Sequence, residues 1–155
     1  MKLLSQILSP ENVVLDIPVT SKKRALEQMS LLFENHQGLE RVSVFDSLFA
    51  RERLGSTGLG HGVAVPHGRV KNIDSPCAAF ARLAQPVAFD SPDGQPVDLI
   101  LVLIVPEAAT QQHLDILAEV AQRLSEPSIL EQLRRETDAM RIYEILTVTN
   151  TLASE

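Results

Sequence analysis

The sequence predicts an α/β fold in which a small mixed β-sheet carries helices on both faces. Three observations lead there. Short aliphatic runs alternate along the chain with longer stretches whose apolar residues recur at helical spacing. Leu99 to Val105 is apolar without a break, so that strand has both faces covered and belongs at the centre of the sheet. Pro66 and Pro106 close two aliphatic runs, as expected of residues that cannot donate to a sheet ladder. Alternating elements of this kind pack as layers.

In chain order, Val13 to Ile17 reads as a short strand. From Ser21 to about Asn35, Ala25, Leu26, Met29, Leu32 and Phe33 repeat at helical spacing. Val42, Phe45, Leu48 and Phe49 mark a second helix that ends near Leu54-Gly55. Gly62 to Val65 is a strand, and pairing is expected to stop at Pro66. Pro76 precedes a strand over Ala78 to Leu83. A further strand, Val87 to Phe89, is set off by the turn Ser91-Pro92-Asp93-Gly94. After the central strand, Thr110 is placed to cap a helix bearing Leu114, Leu117, Val120, Ala121 and Leu124. Two more helical segments follow, around Ser128 to Arg135 and Asp138 to Leu146. No linker, repeat or low-complexity segment interrupts the chain, so 1–155 is expected to be one domain.

Composition narrows the function. The chain has 155 residues, 45% of them hydrophobic and only 4% aromatic, which describes an aliphatic core. A net charge of −6 with no basic stripe argues against nucleic acid as a partner. The one basic run, Ser21-Lys22-Lys23-Arg24, reads as a solvated first helical turn, with a docking patch as the other reading. Cys77 is alone, so no internal disulfide forms, and the chain suits a reducing cytoplasm. Its thiol is expected in a strand as a small apolar group. Neither a signal peptide nor a membrane-spanning run is present, so membrane insertion is not expected.

The chemistry concentrates between Gly55 and Gly68. His67 follows Pro66 directly and is expected as the first side chain beyond a strand, with Gly68 leaving room for a bulky group to approach. The glycines before it match no nucleotide motif. Gly55 to Gly60 has the Walker A spacing, but His61 stands where lysine is required. Gly58-Leu59-Gly60-His61-Gly62 precedes a strand instead of opening a helix, which excludes a dinucleotide fingerprint. Gly-x-Ser-x-Gly is absent, so a serine hydrolase has no nucleophile here. No cofactor is implied. What remains is a loop rich in backbone N–H groups, suited to an anion such as phosphate, beside an exposed imidazole.

His113 falls in the first turn of the helix after the central strand, where α/β sheets bind ligands. Ile116, Leu117 and Val120 share its face, which turns it toward the protein. The helix N-terminus disfavours an imidazolium and favours an anion. Arg51 lies near the end of the second helix, placed to neutralise an arriving phosphoryl group. Ser56 and Thr57 are candidates to donate hydroxyl hydrogen bonds to the same group, with local bonding as the alternative. His36, at a helix end, is assigned no role. A metal site from His61, His67 and His113 stands as an alternative, but the spacing fits no standard pattern and His-Glu-x-x-His is absent.

These residues carry a family resemblance. Ser21-Lys22-Lys23-Arg24-Ala25-Leu26, Arg51 to Gly60, Gly62 to Gly68, Gln95 to Leu99 and His113-Leu114 make the chain similar to the IIA proteins of the bacterial phosphoenolpyruvate-dependent phosphotransferase system. The resemblance covers nearly the whole chain and lies in the fructose/mannitol class, toward its nitrogen-regulatory branch. His61 departs from the asparagine of the nitrogen-type loop. The resemblance implies a phosphotransferase component: His67 accepts a phosphoryl group through Nε2 from an HPr-like phosphocarrier, with His113 and Arg51 beside it. It also implies signalling by phosphorylation-dependent binding, with targets of the potassium-transport or sensor-kinase type, and a docking face of apolar residues around the site. The alternative within the family is a fructose/mannitol relay to a IIB permease domain. A chain of this length, with no attached IIB or membrane segment, favours the regulatory role. A histidine metal-dependent hydrolase is the reading from outside the family.

Overall fold

The computed structural model describes residues 2–109 and 111–148. The elements in order are α1 (Lys2–Ile7), β1 (Leu8–Ile17), α2 (Lys22–Gln37), α3 (Arg41–Arg53), β2 (Gly58–Gly60), β3 (Val63–Ala64), β4 (His67–Val70), β5 (Cys77–Val87), β6 (Val97–Pro106), α4 (Gln111–Arg123), α5 (Pro127–Arg135) and α6 (Ala139–Thr147). The sheet runs β1-β5-β6-β3-β2, and β4 also pairs with β6. β6 is parallel to β3 and β4 and antiparallel to β5, while β1 is parallel to β5. This is the expected small mixed sheet, and the apolar run Leu99–Val105 lies inside it.

β6 shows why the fold has three layers. Successive strand side chains point to opposite faces. Leu99, Leu101, Leu103 and Val105 join one apolar cluster with Ile116 and Val120 of α4, Leu124 just after it, Leu133 of α5 and Ile142 and Leu146 of α6. Ile100, Val102 and Ile104 join the other, with Leu26, Met29 and Phe33 of α2 and Val44 and Leu48 of α3. All seven β6 residues from Leu99 to Val105 are fully buried. Each contributes about 1.5–3 kcal/mol relative to exposure in water.

Helix ends follow local chemistry. Ser21 is extended and its Oγ accepts from Arg24 N at 3.1 Å, capping α2. Asp138 caps α6 through Met140 N. Thr110, expected to cap α4, lies outside the described residues.

Several expectations need correction. α1 was not anticipated, and β1 begins at Leu8, with an irregular register between Leu8 and Val13. No separate strand spans Val87 to Phe89, because β5 runs on to Val87. Gly58 to Gly60, expected as loop, pairs antiparallel with β3. Pairing does not stop at Pro66. Its carbonyl accepts from Leu103 N at 3.0 Å, and the ladder resumes at His67. A proline removes only a donor, so the acceptor side of the ladder continues through it. Among the described residues no helix is long and apolar enough to cross a membrane.

Candidate functional site

Register decides where His67 points. His67 pairs with Leu103, Gly68 with Ile104 and Arg69 with Val105. Neighbours in register share a face, so His67 faces the α4 layer and Gly68 the α2–α3 layer. β2 pairs with β3, whereas β4 pairs only with β6 among the described residues. β4 is therefore an edge strand, and the half-buried His67 ring is reachable from the rim of the sheet.

Gly68 has a different reason from the one expected. A Cβ there would stand 2.2 Å from Ser47 Oγ, so the space is filled by α3 and holds no incoming group. Ser47 Oγ donates to Arg69 O at 2.9 Å and fixes α3 against β4. Arg51 lies one helical turn further on the same face of α3.

The hydrogen bonds set the tautomer of His67. Nδ1 lies 2.9 Å from Val65 O, and a carbonyl only accepts, so Nδ1 carries the proton. Nε2 is then a lone pair, and Arg51 Nε donates to it at 3.2 Å. Arg51 also donates from NH1 to Gly55 O at 2.8 Å. Burial holds the His67 pKa below its ordinary 6.5, and Arg51 lowers it further; the Val65 bond and Glu52 act the other way. The ring is uncharged at neutral pH.

His113 stands in the first turn of α4 with its ring edge-on to His67, centroids 5.2 Å apart. It is 8% exposed, and neither ring nitrogen has a hydrogen-bond partner among the described residues. Burial, then His67 and Arg69, hold its pKa below 6.5. Buried polar atoms are normally paired, so this imidazole has an unused donor beside the His67 nitrogen.

The other candidates fall elsewhere. Ser56 Oγ donates to Phe89 O at 2.7 Å, and Thr57 Oγ1 donates to the Glu52 carboxylate. Both hydroxyl protons are spent inside the protein: Thr57 bonds close by in the chain, whereas Ser56 bonds across the fold to Phe89. Val63 pairs with Leu99 and His67 with Leu103, so the β2–β3 turn at His61 is roughly 13 Å or more along the sheet from His67. His61 has φ of 57°, its N–H donates to Asp93 and its carbonyl accepts from Arg134. Gly62, the next turn residue, has φ of 80° and packs against Arg134 and Asp98. The three-histidine set does not assemble.

Sequence reasoning missed Glu52 and Lys22. Glu52 is 6% exposed and accepts from Lys22 Nζ at 3.1 Å and Thr57 N at 3.3 Å. Lys22 also lies over the Phe89 ring at 4.8 Å, so this part of the basic run is not solvated. A carboxylate in the last turn opposes the helix dipole, and that mismatch was the available signal of a specific partner.

The family described as "Phosphoenolpyruvate-dependent sugar phosphotransferase system, EIIA 2" matches residues 6–148. The chain belongs to this family. A nitrogen regulatory protein of Pseudomonas aeruginosa is 43% identical over 144 residues, covering 92% of this chain and 94% of that protein. Among solved structures, the nitrogen regulatory protein IIA-Ntr from Neisseria meningitidis has a TM-score of 0.89 at 48% identity, covering 94% of this chain and 100% of its own. The IIA mannitol protein of Escherichia coli has a TM-score of 0.76 at 22% identity and covers 90% of this chain and 98% of its own, which shows the shared fold. In this EIIA chain, Leu54 and Leu114 are 85% and 61% exposed, and each sits close in sequence to a candidate site residue, Arg51 and His113.

Proposed function

We propose that this protein is a regulatory phosphoacceptor of a nitrogen-type phosphotransferase system, carrying the phosphoryl group on His67 Nε2. The observation that carries the reading is the ring held by Val65 O, with its Nε2 lone pair against Arg51 and an unpartnered His113 edge-on beside it. A neutral imidazole attacks phosphorus without a strong base, and transfer then needs alignment and charge stabilisation.

In the step, the Nε2 lone pair forms a bond to phosphorus as the N–P bond of the donor phosphohistidine breaks. The donor imidazole leaves with that electron pair, and the proton stays on His67 Nδ1, which still donates to the Val65 carbonyl. Arg51 moves from the lone pair to the phosphoryl oxygens, and His113 donates to another. The product adds roughly two negative charges to the sheet rim. Leu54 and Leu114 supply apolar docking surface there, and the added charge alters which protein binds. The donor is an HPr-like carrier, the targets are of the potassium-transport or sensor-kinase type, and the setting is the cytoplasm. The whole chain acts as one IIA unit, a reading supported by the family match over 6–148.

The test is a phosphotransfer time course with phosphoenolpyruvate and either nitrogen-type or sugar-type carriers. Wild type should take an acid-labile, base-stable label faster from the nitrogen-type carrier. His67→Ala should take none, and His113→Ala should label slowly. A His67→Ala protein that labels at the wild-type rate overturns the assignment, and label lost only in His113→Ala exchanges the two roles. Faster transfer from the sugar-type carrier points to the relay function.

A further inference from the structure

Glu52 is a buried charge that the proposed transfer leaves unused. Its side chain is 2% exposed, which is costly for a carboxylate unless every oxygen is engaged. Among the described residues three donors reach it: Lys22 Nζ at 3.1 Å from α2, Thr57 N at 3.3 Å, and Thr57 Oγ1. Lys22 is steadied in turn by Asp90 at 3.7 Å and the face of Phe89.

These contacts close the chain between 52 and 57 into a ring. Gly55 N donates to Glu52 O at 3.1 Å, and Leu54 N donates to Arg51 O at 3.1 Å. The carboxylate ties Thr57 back to the helix end. Gly55, inside that ring, offers the carbonyl that holds Arg51 NH1 at 2.8 Å. The same guanidinium presents Nε to His67. The downstream half of the segment is fixed separately, by Ser56 Oγ on Phe89 O and by Val65 N on Thr57 O.

We propose that Glu52 is a positioning residue: by closing the 52–57 turn it holds the Gly55 carbonyl where it aims Arg51 at His67 Nε2. Glu52 touches no reacting atom and acts through Arg51. Lys22 is part of the same device, since it neutralises the carboxylate that the turn is built on. The kinetic part of this inference rests on the phosphoacceptor reading of His67; the geometric part does not.

Two measurements test it, using Glu52→Gln, Lys22→Met and Arg51→Ala in the full chain. The first follows the Arg51 Nε–H proton by NMR in the unphosphorylated protein. In wild type, the bond to His67 should protect it from exchange with water. Both Glu52→Gln and Lys22→Met should speed that exchange by on the order of tenfold, while the backbone amides of β6 keep their protection. A merely structural brace would leave Arg51 Nε–H unchanged in folded variants, and that result overturns the proposal. If Glu52→Gln loses the β6 protection as well, Lys22→Met decides, because the Thr57 contacts remain.

The second is single-turnover transfer from the phosphorylated nitrogen-type carrier. Glu52→Gln should slow it by on the order of tenfold through loss of alignment. On the Arg51→Ala background it should add no further loss, since residues acting through one group are not additive. Multiplicative losses would show an independent role and overturn the assignment. If wild type accepts no phosphoryl group at all, the phosphoacceptor reading has failed, and the exchange measurement still decides the role of Glu52.

Discussion

Gly68→Ala isolates the contact that sets α3 against β4, the strand that carries His67. An added Cβ meets Ser47 Oγ at 2.2 Å, Ser47 Cβ at 3.0 Å and the Ser47 carbonyl carbon at 3.2 Å. The hydroxyl can rotate away, but it then gives up its bond to Arg69 O, worth about 1 kcal/mol. The other two atoms cannot move without shifting the helix, and overpacking of this kind costs about 1–3 kcal/mol. The sum is about 2–4 kcal/mol, which lowers the thermal midpoint of a domain this size by about 5–15 °C. Arg51 rides on the same helix face one turn on, so its distance from His67 Nε2 grows as well. Misalignment of a few tenths of an ångström should slow phosphoryl transfer by about tenfold. Thermal unfolding and a transfer time course on the variant measure both effects. Measured on a Ser47→Gly background, where the Oγ and Cβ contacts and the bond to Arg69 O are already gone, Gly68→Ala should cost less than half of what it costs in wild type. A Gly68→Ala protein with wild-type midpoint and transfer rate refutes the close-approach argument, and so does an equal cost of Gly68→Ala in wild type and on the Ser47→Gly background.

Two further outcomes follow from the titrating groups. His67 and His113 both have folded pKa values held below 6.5, so the unfolded chain binds protons more readily as the pH drops. The stability that the neutral rings supply is complete above 6.5 and is lost as pH falls through that value toward the lower folded ones. Urea midpoints should therefore drop between about pH 7 and about pH 5, and His113→Gln should show a shallower drop; equal slopes would reject the linkage. Burial pushes the Cys77 thiol from 9.0 up to about 12. That leaves roughly a thousandfold less thiolate, so alkylation at about pH 8 should be slow in the native protein and fast in urea. Equal rates in both would contradict the burial.

The local record in the sequence was rich where periodicity and chain punctuation carry the information. The unbroken aliphatic run at Leu99–Val105 announced a strand covered on both faces, and Ser21 announced the start of α2. Pro66-His67-Gly68 marked the segment proposed to take the phosphoryl group, because a proline there closes an aliphatic run and His67 is the first titratable side chain after it. What only the tertiary structure decided is which groups meet across long separations. The pairing of His67 with Leu103 turns the ring toward α4 and His113. The same register leaves His61 at the far end of the strand, out of reach. Ser56 and Thr57 looked available because a hydroxyl reveals nothing of its acceptor until Phe89 O and Glu52 are folded beside it. Glu52 and Lys22 are 30 positions apart in the chain and become one ion pair only when α2 packs on α3. Sequence patterns report the period and the ends of each element; partner choice follows from register and layer packing, which no single element encodes.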